Sequence, residues 1–497
     1  MTPMLHASVR VRLIVGLFVA LTEVVFIWRM HGYGVEFVFS GLLVTAALLL
    51  QLTFAVRRDS ATPADIIVFL FNWLFLDFAP KVQLMDSPWK LINTSTLSLH
   101  GLLMTNLMCA LFIAAYTASY PWIRRRWQVK EDSPGASLRP ERQPFSGGAV
   151  LVSTLLCALI VLTVGPYIYH MSESMAYGTG SNSSPIELIG AKYFLFLPSA
   201  TMMLLINETA ADHKSWKFTR ICALLVLAVL VLYTQSPPRE SRGALGPVYL
   251  TLIMTALAPI LQTQNRRMIL LILGMVLVFP IAALFTHGIE FTWDNVVDTI
   301  RNHYFDLHYD AWANTYTAIE MATRNGIEWG HQLAGALLFF VPSSIWATKA
   351  SATGVAIGKY LMVNYRMWFT NLSAPLVGEG YIDFGVAGVA LYGALLPFLV
   401  VALNNAARRN SSWMSRPMAF YYAVFLMFAL RGSLMVAVAY GTGALMAFVT
   451  ASFLLSRRLG SGRALARASR PWLNVDLPGN RLPGSASPAG SARRQGS

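Results

Sequence analysis

Apolar runs of about 20 residues recur from one end of this chain to the other, and a basic cluster falls at every second boundary between them. In hydrocarbon every backbone N–H and C=O must be satisfied within the protein. That leaves such a run one practical conformation, a membrane-crossing α-helix. About 12 runs reach the required length: roughly 12–29, 35–56, 64–80, 98–119, 148–170, 188–206, 219–236, 243–262, 268–286, 376–404, 414–432 and 436–456. With 55% hydrophobic and only 12% charged residues, the 497-residue chain lacks the polar surface of a soluble protein. The expected fold is an all-α polytopic membrane protein with about 12 transmembrane helices. Leu13–Trp28 follows Arg10 and Arg12 as a signal sequence would. No clear small-residue cleavage site follows it and further spans do, so it reads as a retained helix.

The basic clusters orient the spans. Arg10/Arg12, Arg57/Arg58, Arg124–Arg126 with Lys130, Lys214/Lys217/Arg220, Arg266/Arg267, Arg408/Arg409 and Arg457/Arg458 share one register. By the positive-inside rule they are cytoplasmic, as are both termini. Residues 1–456 are then the transmembrane domain, with a cytoplasmic linker over 120–147 and a large loop over 287–375 on the other face. The arginine-rich, Gly/Ser/Pro-rich 457–497 reads as a disordered basic cytoplasmic tail. Cys109, Cys157 and Cys222 lie inside apolar runs and give neither a disulfide framework nor a zinc spacing. The net charge of +14 reads as topology and contact with anionic lipid of the bilayer. Nucleic acid is not an expected partner, because the arginines lack interleaved stacking aromatics.

Cations on the non-cytoplasmic face run against the same rule and need a compensating reason. Arg239, Arg242, Lys349 and Arg431 all map there. Arg239 and Arg242 follow Pro237 and Pro238 at the mouth of a span, where a guanidinium fork can hold a phosphate or simply snorkel to the interface. Arg431 lies in an otherwise uncharged stretch, so it requires an anionic ligand or a salt bridge to Glu240, Glu379 or Asp383. Glu379 and Asp383 stand four apart, on one helix face, where a carboxylate can accept a proton from a hydroxyl or pair with an arginine. Within the large loop, Asp306, His308 and Asp310 alternate among aromatics, which fits an amphipathic interfacial segment better than a metal site. A helix is predicted after Trp312 as far as Arg324. The apolar run Leu333–Trp346, interrupted by Pro342, is too short to span and reads as re-entrant or interfacial.

Four motifs in one order and on one side carry a family likeness. Ser241-Arg242-Gly243-Ala244-Leu245 opens a span, and Phe340–Lys349, with Pro342 and Trp346, closes the large loop. Gly378-Glu379-Gly380-Tyr381 then precedes Phe384–Gly388, and Arg431-Gly432-Ser433-Leu434 follows. Over roughly residues 230–435 the chain resembles the bacterial Wzy-type oligosaccharide repeat-unit polymerases, which belong with the O-antigen polymerases and ligases. Ser343 departs from the pattern, which often has arginine after the proline, and this leaves Lys349 as the cation of that loop.

The resemblance implies a bacterial inner-membrane glycosyltransferase of GT-C type with 287–375 as a large periplasmic loop. Donor and acceptor would be undecaprenyl-diphosphate-linked oligosaccharides. No metal, nucleotide sugar or other cofactor would be required, and a chain-length regulator would be a further partner. Arg242 and Arg431 would take the two diphosphates, supported by Arg239 and Lys349. Glu379 is the first choice for general base, with His308 or Asp310 behind it. An O-antigen ligase shares this chemistry. A flippase for the same lipid-linked oligosaccharide is the rival from another class, and Glu23, Asp77 and Lys192 are its ionisable candidates within the membrane.

Overall fold

The structure is a computed structural model that describes residues 3–57, 59–128, 145–166, 185–211, 218–237, 242–286, 290–409 and 414–456. Among these residues all regular structure is helical, apart from one isolated bridge between Lys90 and Thr96. Among the described residues, five helices are long and apolar enough to cross a membrane: Val11–Tyr33, Leu99–Trp127, Gln264–Ile281, Leu376–Arg408 and Leu434–Ser456. Four shorter apolar helices accompany them, Val38–Phe54, Gly147–Thr163, Phe218–Thr234 and Ala244–Ala256. The chain is an all-α, multi-pass membrane protein.

The helices used below are α1 (Pro3–Met30), α2 (Val35–Phe54), α3 (Ala64–Trp73), α4 (Ala79–Asp86) and α5 (Leu99–Trp127). They are followed by α6 (Gly147–Thr163), α7 (Pro185–Ala211), α8 (Phe218–Thr234) and α9 (Arg242–Ala256). A π-helical turn, Leu74–Phe78, joins α3 to α4, so the expected span 64–80 is a longer helix running to Asp86. All ten residues of α3 are buried, which puts it inside the protein rather than against lipid. The first residues of the expected linker 120–147 are helical, since α5 runs to Trp127. Tyr120 is buried there and donates to Asp65 at 2.9 Å, which ties that turn to α3. Most of the remaining linker and all of 457–497 lie outside the described residues.

Among the described residues, three of the basic clusters meet at one end, around the 59–61 turn. Arg124 pairs with Asp59, and Arg408 donates to the Asp59 carbonyl. Asn405 donates to the Trp127 carbonyl at 2.7 Å, and Arg267 to the Ala61 carbonyl at 3.0 Å. Alternation along the sequence has therefore become a spatial asymmetry, with a basic end and a far end.

At the far end, residues 290–375 form much more than a surface loop. They contain α10 (Trp293–Asn302), α11 (Ala311–Asn325), α12 (His331–Leu337) and α13 (Thr353–Tyr365). The helix predicted after Trp312 is α11, but Ala311–Ile319 is buried on every side, against α5 and the helix that starts at Leu376. Its polar groups are satisfied inside the protein: Asn93 donates to Asn314 at 2.9 Å, and Thr315 and Thr317 bond back to the carbonyls of Ala311 and Ala313. The apolar run Leu333–Trp346 is only partly helical, ending as a helix at Leu337 and continuing in turns.

The last helices are α14 (Leu376–Arg409), α15 (Ser415–Arg431) and α16 (Leu434–Ser456). The predicted span 376–404 is broken: Phe384 and Gly385 leave helical geometry, and Gly385 has φ +62°, which glycine adopts without a Cβ clash. A short segment, 376–383, thus precedes a long one, 386–409. The two meet at Gly380 and Gly388, where a Cβ on Gly388 would lie 1.9 Å from the Gly380 carbonyl oxygen. Gly388→Ala is therefore expected to destabilise the protein by about 1–3 kcal/mol through overpacking. Gly148→Ala, with nothing within 4 Å of the added carbon, is expected to leave stability unchanged. Thermal unfolding in detergent compares the two, and equal melting of both variants would contradict this account of the break.

Candidate functional site

Every site residue that sequence reasoning selected within the described chain lies at the far end. Arg431, the last residue of α15, reaches the turn between α10 and α11, where His303–Phe305 and Leu307–Tyr309 form two 3-10 turns. Its Nε donates to the His308 carbonyl at 2.9 Å, and its Nη2 donates to the Leu307 carbonyl at 3.0 Å and to Asp310 Oδ1 at 3.1 Å. Among the described residues the salt-bridge partner is thus Asp310, not Glu379 or Asp383; Glu240 lies outside them. Nothing in the sequence near Arg431 signals this, since the two residues are 121 positions apart. These three bonds use Nε and Nη2, and the side chain remains 29% exposed. Nη1, with two N–H groups, takes no part in them.

Asp310 is buried and saturated. Besides Arg431 it accepts from Ser373 Oγ at 2.6 Å, the Ser373 backbone N–H at 3.3 Å and Asn314 Nδ2 at 2.8 Å. Asp306, by contrast, has a side chain 49% exposed, so the Asp306/His308/Asp310 group does not converge on a common point. His308 is half-buried, with its ring edge-on to Phe279 at 6.3 Å.

Glu379 and Asp383 occupy one face of the short segment 376–383, as their spacing predicts, and each receives the N-terminus of a different helix. Both oxygens of the buried Glu379 accept the Leu434 N–H, at 3.1 and 3.0 Å, where α16 begins. Asp383 accepts the N–H groups of Gln332 and Leu333 at 3.0 and 3.1 Å, where α12 begins, and the Tyr392 hydroxyl at 2.7 Å. Carboxylates are favoured at helix N-termini because the first N–H groups of a helix have no partner within it.

Lys349 is half-buried, and its ammonium donates to the carbonyls of Phe339 at 2.5 Å and Val341 at 2.9 Å. It closes the 339–349 turn, and burial lowers its pKa below the ordinary lysine value. Arg239 and Glu240 lie outside the described residues. Arg242 opens α9, and its side chain also lies outside them.

A narrow cleft at this end joins α9 to α15. It is lined by Lys192 and Phe196 of α7, Gln235 after α8, and Ala244 and Val248 of α9. Tyr421, Phe425 and Phe428 of α15, with Tyr440 and Ala444 of α16, complete it. The Lys192 ammonium sits 4.8 Å from the Tyr440 ring centre, and Phe428 stacks on Tyr440 with 5.7 Å between centroids. Ala244 follows Arg242 by two residues, and Phe428 precedes Arg431 by one helical turn. The cleft therefore connects the two segments that carry the predicted phosphate-binding arginines. Lys192 and the ring cluster were not among the predicted substrate contacts; a lysine just inside a span was the available signal. Glu379 does not line the cleft, but it holds the start of the helix that carries Tyr440. A cation above aromatic walls suits an anionic group linked to a ring or chain.

A scan against protein-family models finds no match for this chain, and searches of curated proteins and of solved structures find none either.

Removing the Asp310 carboxylate strands a guanidinium, a serine and an asparagine. Asp310→Ala is expected to cost about 3–5 kcal/mol. Arg431→Ala adds little when combined with it, because both remove one shared interaction. A double-mutant cycle on unfolding in detergent measures this, and fully additive losses would show that the two residues do not act as a pair.

Proposed function

We propose that the protein transfers glycosyl groups between polyprenyl-diphosphate-linked oligosaccharides, working at its far end, which would face the periplasm of a bacterial inner membrane. The observation that carries the reading is the placement of Arg431. A guanidinium is held rigidly by three bonds, keeps Nη1 outside them, and stands one turn above a cleft whose opposite wall is the helix opened by Arg242. The likeness to Wzy-type polymerases over residues 230–435 supports the same reading. So does the basic end, because its opposite position makes these the cations that the positive-inside rule disfavours. In this reading the nine apolar helices belong to a set of about 12 spans of GT-C type.

Transfer breaks the bond between the anomeric carbon and the diphosphate oxygen while an acceptor hydroxyl attacks that carbon and loses its proton. Charge grows on the leaving diphosphate, and fixed cations stabilise it without reorganising. Arg431 and Arg242 are assigned this role, with Lys192 within the cleft. Arg239 remains a candidate beside Arg242. Lys349, committed to two carbonyls, positions the 339–349 turn. Asp310 already accepts four hydrogen bonds and Glu379 holds the start of α16, so both are positioning residues. That leaves His308, on the turn that Arg431 grips, as the candidate to take the proton.

A transporter reading draws on a different observation, a buried cluster of Glu23, Asp77 and Lys81 within the helices. Lys81, one residue beyond the expected span 64–80, belongs to that cluster. A lipid-linked substrate that crosses vesicles with no new glycosidic bond would favour this second reading. Free lipid-linked polymer accumulating on deletion would instead mark a ligase, whose chemistry is the same.

Arg242→Ala and Arg431→Lys are each expected to slow chain extension by about 100- to 1000-fold, the usual loss on removing one preplaced electrostatic donor. The assay follows product length from purified lipid-linked repeat units in proteoliposomes. Normal polymer length from both variants would overturn the assignment.

A further inference from the structure

Glu23 of α1, Thr45 of α2, and Asp77 and Lys81 around the π turn meet inside the helix bundle. The Lys81 ammonium donates to Glu23 Oε2, to Asp77 Oδ1 and, at 2.7 Å, to the Thr45 hydroxyl. Thr45 in turn lies 2.7 Å from Glu23 Oε2 and 3.2 Å from Asp77 Oδ1. Glu23 is 3% exposed, Asp77 2% and Lys81 5%. Glu23 stands seven residues before the end of α1 and Thr45 ten after the start of α2, which places the cluster about 10–15 Å in from the far end.

Two facts point to a ligand. First, one ammonium faces two carboxylates, so the ionised cluster carries a net charge of −1 where burial of unbalanced charge is unfavourable. Second, Glu23 Oε1 and Asp77 Oδ2 have no hydrogen-bond partner among the described residues, although both are fully buried. All three N–H groups of Lys81 are already used, so the lysine cannot satisfy them. The other charged or titratable groups that face Asp77 are Glu23, Lys81 and the Cys109 thiol of α5. None supplies a second positive charge. A small cavity reaches the cluster between Phe26, Gly41, Lys81 and Asn106. The π turn that carries Asp77 is the kind of helix distortion found most often at working sites.

We propose that this cluster is a proton-binding site, holding one exchangeable proton on Glu23 Oε1 or Asp77 Oδ2. A proton balances the charge and gives one of the two orphaned oxygens a bond to make. Sodium fits poorly, because the Lys81 ammonium already occupies the position between the two carboxylates and would repel it. The site stands apart from the cleft and holds whether the substrate there is transferred or moved.

The test is infrared spectroscopy of the full chain in lipid nanodiscs at neutral pH, in H2O and D2O. The proposal expects a protonated-carboxyl C=O band, shifted in D2O, that loses one carboxyl's intensity in Glu23→Gln or in Asp77→Asn. The loss must be separate from any change in a Glu379→Gln control. Carbon-13 labelling of aspartate alone, and of glutamate alone in the Glu379→Gln chain, asks the same question where a cluster variant does not fold. The band should shift under one label. Unchanged intensity in both cluster variants, or no shift under either label, would mean that both carboxylates are ionised and would overturn the proposal. A band that grows when sodium is replaced by choline would overturn it too, by showing a bound metal cation instead.

Discussion

The carboxylate of Asp310 ties together parts of the chain that no local signal connects. It accepts from Arg431 at the end of α15, from Ser373 before α14 and from Asn314 in the first turn of α11. A charged group this deeply buried is tolerated only when its oxygens are fully bonded, and here they are. One of these bonds, with two to the carbonyls of Leu307 and His308, fixes Arg431 on the turn that carries His308. Glu379 and Asp383 repeat the device on a smaller scale, each receiving the first N–H groups of a neighbouring helix. The far end is assembled by acids that bind helix starts and one arginine, and its shape follows from those bonds.

The two ends of the bundle use their cations differently. At the basic end Arg124, Arg267 and Arg408 turn onto Asp59 and the carbonyls of the 59–61 turn. At the far end two cations, Lys192 and Arg431, stand in a cleft beside an aromatic ring or one turn from it. Arg431 retains a nitrogen outside its structural bonds, and Lys192 lies over Tyr440. If the far end is the non-cytoplasmic face, such cations call for an anionic partner.

Much of the fold could be read from the residues. The recurrence of apolar runs predicts helices, and the basic register predicts that the Arg124, Arg267 and Arg408 boundaries share an end. The helix after Trp312 ends within one residue of its expected limit at Arg324. Depth was harder to foresee. α11 looks amphipathic enough for a surface loop, yet its asparagine and threonines are satisfied by Asn93, Ser373 and its own carbonyls, so it sits in the core. The break at Gly385 was hidden because Gly385, Gly388 and Gly393 look alike in sequence. In the structure Gly385 turns the chain, Gly388 meets the carbonyl of Gly380, and Gly393 packs on that of Phe112. The partner of Arg431 was out of reach for a simpler reason: short-range spacing carries no information about a contact 121 residues away.

If the far end recognises a lipid-borne diphosphate, that molecule must touch both walls of the cleft. Photo-crosslinking with a polyprenyl-diphosphate oligosaccharide analogue, mapped by mass spectrometry, asks this directly. Adducts within Ala244–Val248 and Phe428–Tyr440, competed by unlabelled substrate, are the result this account predicts. Adducts confined to the 59–62, 266–267 and 404–408 region, or labelling that unlabelled substrate does not compete, would contradict it.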